Sequence, residues 1–573
     1  MRSPLEWVCL LAALFVGLAT PSGAQSDFDS LVQKGTALSQ QARYAEAIPV
    51  LQQARKLQPQ HYLVNLLLGV DLLRSGRPTD AIKPLQVAAE ADRKDATAMG
   101  YLGEAHTALR EFALAAESFQ AAVLRAPQSE EALLAWADFG LERFRAIATW
   151  LRSSAKGTAV VSRVQAEGME DGTRSRESML RQSADKDPDQ PGIWGELGVA
   201  QVQLGLRADA ENSLKIARDR QPTSSSTWQL QALMEAASGN WGEAEARLQA
   251  LGSRSPATLT KVLAAWPKIL LPDPVTPGSV WHCAQERSLN CPAVQATNPK
   301  SSGKGSDQLF AEERWEQLAE GSPPRANEPT LWYQRGVALA QFGDCARAIP
   351  ALERGFNEGA LTAAFWLEIC YGVESEQAAA RLQSQGNEEA VHQLRGDMLL
   401  RMKGDPAAAV AEYQEARKRN SKDPDLCERL AQAYLASGDM GSAKQAADDA
   451  LALDQHRMLA LRLLVVVNMS ERDYLEALMA LKRMLAMDPG NAWVRAQMGT
   501  AYAQSGRPEE AVGYLKPLLD AGYPDEKGAL HAMMAGALRK LGREDEANNA
   551  AAEAARLANT FQEHGQRSSD DHR

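Results

Sequence analysis

Gly100-Tyr101-Leu102-Gly103-Glu104-Ala105 is one copy of a short text that returns along this chain. Gly35, Gly69 and Gly103 stand 34 residues apart. Ala47, Ala81 and Ala115 each follow their glycine by 12. Leu51, Leu85 and Phe119 come four later, and Ala54, Ala88 and Ala122 three after that. Pro59 and Pro127 close the first and third units. A period of this length is the mark of stacked units, each unable to bury its apolar face alone.

A small residue, another twelve on, then Leu or an aromatic, then Ala, then Pro resembles the helix-turn-helix pattern of tetratricopeptide (TPR) repeats. The unit that starts at Pro191 carries it most fully. Trp194, Leu197, Gly198, Ala210, Leu214, Ala217 and Pro222 occupy positions 4, 7, 8, 20, 24, 27 and 32. The resemblance implies that positions 8, 20 and 27 lie where helices A and B of a unit cross, where only Gly or Ala lets the backbones approach. Positions 4, 7, 11 and 24 fill the space between units, and the proline at 32 stops helix B.

Further units start at Phe28, Tyr62, Ala96, Glu130 and Ser225, then at Pro329, Ala363, Glu389, Pro424, Met458, Ala492 and Gly528. Several depart from the period, three of them as follows. The second helix of the Glu130 unit is displaced by an insertion over about residues 153–182, broken by Gly157, Gly168 and Gly172. The Ala363 unit is about eight residues short, and the Glu389 unit is one residue long. The expected fold is all-α: a TPR solenoid, a right-handed superhelix, in two arrays over residues 25–254 and 329–560. Prolines 256, 267, 272, 274 and 277 forbid a continuous helix between them. Residues 255–328 therefore read as an irregular connector, with a loop at Asn298–Asp307 and one helix at Leu309–Leu318. Residues 561–573 are charged and apolar-poor and read as a disordered tail.

A 573-residue chain has room for three or four ordinary domains, but a solenoid grows by stacking instead. The net charge of -11 is spread out, and no basic stretch offers nucleic acid a footprint. Arginine outnumbers lysine, which points to a GC-rich bacterial genome. Arg2, the apolar run Trp7–Ala19 and the small residues Pro21-Ser22-Gly23-Ala24 read as a signal peptide over residues 1–24, cleaved after Ala24. An uncleaved membrane anchor is the alternative. No other segment is apolar for long enough to cross a bilayer. The expected location is outside the cytoplasm, periplasmic or extracellular.

No catalytic constellation stands out: no His-Glu-x-x-His, Gly-x-Ser-x-Gly, Walker loop or Gly-x-Gly-x-x-Gly is present. No cofactor is implied. Cys283 and Cys291 fall outside a repeat and read as a disulfide in an oxidising compartment. With Trp281-His282 they also offer three potential zinc ligands, which leaves an enzyme or metal site within 255–328 as a rival. Cys370 and Cys427 read as small buried apolar residues, and the pattern gives Cys345 no place.

The resemblance puts binding on the groove lined by helix A at positions 2, 5, 9 and 12. The Lys and Asn of a carboxylate clamp are missing at positions 5 and 9. In the Tyr62 unit these positions hold Leu63, Leu66, Val70 and Leu73, on a helix apolar on its core face as well. Such a helix must be covered by flanking units or by a partner. Tyr333, Tyr371 and Trp493 are the groove aromatics that a factor handling glycan or lipid would need. The expectation is a non-enzymatic scaffold for a protein or peptide partner in envelope assembly or secretion, with the glycan or lipid factor as alternative.

Overall fold

The computed structural model describes residues 23–570 except 42, 155–158, 160–161, 164–165, 167–173, 191, 223, 255–258, 260–261, 264–265, 276–278, 287–304, 312–314 and 357–359. The signal segment, apart from Gly23 and Ala24, lies outside them. No strand occurs among the described residues. The chain divides into two compact units, residues 2–381 and 382–573.

The first unit opens with hairpins α1 (Gly23–Gln40) and α2 (Tyr44–Leu57), α3 (Tyr62–Arg74) and α4 (Pro78–Ala91), α5 (Thr97–Ala108) and α6 (Phe112–Arg125). The long α7 (Glu130–Ser154) follows, then α8 (Arg174–Lys186). Two more hairpins are α9 (Ile193–Gln203) with α10 (Arg207–Arg220), and α11 (Ser225–Ala237) with α12 (Trp241–Arg254). Short helices α13 (Val280–Glu286), α14 (Ser306–Ala311) and α15 (Trp315–Glu320) lead to α16 (Pro329–Phe342), α17 (Cys345–Arg354) and the long α18 (Ala360–Ser384).

The second unit holds α19 (Glu388–Met398) and α20 (Pro406–Arg419), α21 (Pro424–Ser437) and α22 (Met440–Leu453), and α23 (Met458–Ser470) and α24 (Tyr474–Met487). It ends with α25 (Ala492–Gln504) and α26 (Pro508–Asp520), and α27 (Ala529–Lys540) and α28 (Glu544–Asp570).

The glycines explain why the hairpins close. A Cβ on Gly103 would lie 2.7 Å from the Phe119 ring, and one on Gly499 would lie 2.5 Å from Leu515. Position 8 is thus where helix A meets the large residue at position 24 of its own helix B. Gly198 differs. Its virtual Cβ meets Leu230 of α11 at 2.2 Å, and that of Gly195 meets Ser226 at 2.4 Å. There the glycines let two successive A helices touch.

Three of these irregularities have a structural counterpart. The extra residue of the Glu389 unit is absorbed by a turn of π-helix at Leu399–Lys403, the wider turn that a one-residue insertion in a helix produces. Tyr413 thereby still reaches Gly396, although 17 residues separate them instead of 16. The Glu130 unit and the short Ala363 unit are each built around one unbroken 25-residue helix, α7 and α18.

The two long helices pack together. Phe139 of α7 meets Tyr371 of α18 edge-on at 5.9 Å between centroids. Trp136 donates its indole N–H to Glu374 at 3.1 Å. Helix α17 packs on α6, and Arg354 pairs with Glu117 across that contact. Residues near 130 and near 370 therefore share one core, and the break between compact units falls inside α18, beyond the connector expected at 255–328.

Part of that connector is core. Trp266 and Trp281 stack edge-on at 5.5 Å, and Trp281 meets Trp241 of α12 at 5.8 Å. Val262, Leu263 and Val280 are buried with them against α11 and α12. Aromatic burial holds this stretch onto the last hairpin despite its prolines. Within the helix expected at Leu309–Leu318 the described residues belong to α14 and α15; residues 312–314 lie outside them, as do Asn298 and most of its loop. The expected tail is also revised. Helix α28 continues to Asp570, on an Ala-rich sequence of high helix propensity. Residues 571–573 lie outside the described residues.

Candidate protein-interaction surface

Helix A presents one face to its own helix B and others to the neighbouring units. Positions 2, 5, 9 and 12 are what remains, and how far they remain exposed depends on the flanking A helices.

In α3 they are covered. Leu66 and Val70 are each 2% exposed. They belong to a cluster that includes Tyr101 and Leu102 of α5, with Leu63 and Leu73 packed at its edge. Of the two ways to cover that helix, burial by flanking units accounts for Leu66 and Val70. Nearby Asp71 is also buried. Its Oδ2 accepts from Ser39 at 2.6 Å, while Oδ1 has no hydrogen-bond partner among the described residues. Burial pushes its carboxyl up to about 7, against the opposing pull of the Ser39 hydroxyl.

Tyr371 is core, not groove. It is among the largest fully buried side chains, and its hydroxyl donates to Glu353 at 2.8 Å. Arg143 completes the trio, with its guanidinium 3.6 Å over the Phe112 ring. Burial raises the Glu353 carboxyl, and Arg143 and the Tyr371 hydroxyl oppose the shift. Tyr333 is half-buried against Phe310 at 5.8 Å.

The second unit keeps one such face open. Position 2 of α23 is Leu459 and position 9 is Val466, respectively 39% and 38% exposed. Position 5 is the exposed Arg462 and position 12 the half-buried Met469. Arg462 lies over the ring of Trp493 on α25, 4.7 Å from its centroid, so the groove aromatic Trp493 is capped by a cation. A cleft beside Met469 is lined by Ser470, Arg472, Tyr474, Thr500 and Gln504. α3 differs in carrying Leu66 where α23 carries Arg462, and in its neighbour. At position 6, α5 carries Tyr101, whereas α25 carries Gln497.

The sequence carries a signal for this face. Met-Leu-Ala-Leu-Arg-Leu-Leu-Val-Val-Val over Met458–Val467 is apolar nearly all round, as is the Tyr62 helix. Leu475 and Met479 on α24 are exposed too, at 69% and 59%. Residues 453–487 thus hold most of the large exposed apolar side chains among the described residues.

The cysteines are arranged differently from expectation. Cys345 and Cys370 form a disulfide joining α17 to α18, with Cα atoms 4.8 Å apart. The residue without a place and one assigned to simple packing are therefore partners. Cys283 is disulfide-bonded, while Cys291, its expected partner, lies outside the described residues. Cys427 is free and buried. No three His, Cys, Asp or Glu side chains converge as metal ligands among the described residues. No described helix is long and apolar enough to cross a membrane.

These features define a solenoid of stacked helical hairpins. Sequence models described as tetratricopeptide repeat match it over residues 32–96 and 66–132, and over 400–464 and 468–530. The chain carries tetratricopeptide repeats over these residues. It is 31% identical over 154 residues to cellulose synthase operon protein C of Xanthomonas axonopodis pv. citri (strain 306). That match covers 26% of this chain and 10% of the relative, so this chain spans only a tenth of that protein's length. Among solved structures, a crystal structure of MamA is 20% identical, covering 29% of this chain and 96% of its own, with a TM-score of 0.27. MamA 41-end from Desulfovibrio magneticus RS-1 is 19% identical, covering 30% and 96%, with a TM-score of 0.28.

Proposed function

We propose that this chain is an exported, non-enzymatic scaffold that holds a protein or peptide partner on the helix-A face of its repeats, in cell-envelope assembly or secretion. One observation carries the reading: Leu459 and Val466 stand exposed on a helix whose pattern elsewhere in the chain is buried. An apolar strip of this kind marks an interaction site. Export is supported by the disulfides, which persist in oxidising compartments, and by the sequence of residues 1–24. The name of the relative, a cellulose synthase operon protein, favours the envelope. The same name favours the second reading, a factor that handles glycan.

A photo-crosslinking amino acid at Val466, expressed in the native host, tests the proposal. A discrete protein adduct absent from the same probe at Glu544 is the expected result. No adduct at Val466, or retention of the chain on immobilised cellulose, would overturn it.

A further inference from the structure

Many arginines of the second unit are held by acids. Arg417 pairs with Asp449, Arg419 with Glu388 and Arg507 with Glu510. Arg462 has no carboxylate at ion-pair distance among the described residues and is held only by the face of Trp493. The acids on the adjoining helix are taken, because Arg457 pairs with both Asp425 and Glu428. A solvated guanidinium on an aromatic ring keeps its edge free for a planar acceptor.

The two flanking side chains give that cation a context. Leu459 and Val466 lie seven residues apart on one face of α23, about 10 Å along the axis, with Arg462 between them. Met469 extends the strip by one further turn. The arrangement is apolar, cationic, apolar, on a chain whose formal charge is -11. A basic ligand gains nothing from Arg462 and is repelled by it. A purely apolar one covers it and strips its water without supplying an acceptor, which is costly.

Resting on the partner-holding reading above, we infer that the α23 face takes a segment of a partner protein in which an aspartate or glutamate lies between two apolar side chains. The carboxylate meets the free edge of the Arg462 guanidinium while the apolar pair covers Leu459 and Val466. Charge decides which segments bind, and the apolar contacts hold them. Trp493 keeps the guanidinium in place before the ligand arrives, which lowers the ordering cost of binding.

A phage-displayed library of random 16-residue peptides, selected on the purified full chain, tests this. Enriched peptides should carry Asp or Glu between apolar residues. Their affinity should fall at least tenfold on Arg462→Glu and on Leu459→Ser/Val466→Ser, with circular dichroism unchanged. Arg462→Glu should accept the same peptides once their acid is changed to Lys. Arg462→Gln serves as a milder variant and should lose part of the affinity. Enrichment of basic or neutral peptides, no enrichment over Arg462→Glu, or equal binding by Arg462→Glu would overturn the inference. So would a dimer of the chain lost in Leu459→Ser/Val466→Ser, since a second copy would then occupy the face. The Val466 adduct separates the two readings. If Leu459→Ser removes it and Arg462→Glu does not, the face stands and its acidic recognition falls. If neither removes it, both fall.

Discussion

Arg143 grips Glu353 through two hydrogen bonds of 2.9 Å, one to each carboxylate oxygen, although 210 residues separate them in sequence. Both side chains are nearly out of solvent. The pair ties α7 to α17, beside the contact of α7 with α18. Removing one partner of a buried pair leaves a charge without compensation. Arg143→Met should cost about 3–5 kcal/mol in chemical denaturation followed by tryptophan fluorescence. The double change Arg143→Met/Glu353→Met should recover most of it. Burial already raises the Glu353 carboxyl and Arg143 restrains it, so the Arg143→Met defect should be smallest in acid and grow as pH rises.

Asp71 makes a second pH-dependent contribution. Its carboxyl is raised to about 7 in the fold, from an ordinary value of 3.8. A group with a raised folded value binds protons more tightly in the native state. Its stability is therefore fully present below the unfolded value and is lost as pH rises through about 7. Asp71→Asn should be close to neutral at pH 4 and stabilising by roughly 1–3 kcal/mol at pH 8. Thermal melts at the two values check both the size and the sign.

Gly499 and Leu515 form a size-matched pair. Gly499→Ala should cost about 1–3 kcal/mol through overpacking, because the new methyl group has no room beside Leu515. Adding Leu515→Ala makes space but loses a buried side chain. The double mutant should therefore lose less than the sum of the two single changes, which a double-mutant cycle measures.

Two pairs of similar sequence should behave in opposite ways. Leu66→Ser/Val70→Ser places hydroxyls in the core and should cost several kcal/mol. Leu459→Ser/Val466→Ser should leave the melting temperature nearly unchanged while abolishing the Val466 adduct. A large stability loss in the second pair would return those residues to the core.

The Cys345–Cys370 bond closes a loop with a separation of 25 residues. Constraint of the unfolded chain gives about 3 kcal/mol for a loop of that size. Cys345→Ser/Cys370→Ser should lower stability by about that amount in non-reducing buffer. Under reductant the wild type and this variant should fall to the same level.

Much of the fold was legible because a repeat encodes itself locally. Gly103 and Phe119 announce a helix crossing wherever their spacing recurs, and helices start at Tyr62, Glu130, Ser225, Pro329, Pro424, Met458 and Ala492 as the period requires. The site was less so. Val70 and Val466 hold the same position on two largely apolar A helices, and that position alone does not separate them. The bulk of Tyr101 beside one, against Gln497 beside the other, does.

The sequence alone determined the helical-hairpin class, most repeat registers and the positions where irregularities had to fall, since each depends on contacts within a few dozen residues. Only the tertiary structure decided what the irregularities do. Residue spacing carries no information about partners 210 positions away, so it could not pair Arg143 with Glu353 or stack α7 on α18. Nor could it tell a covered groove from an open one. Exposure is set by what the neighbouring helices cover, and that is a property of packing.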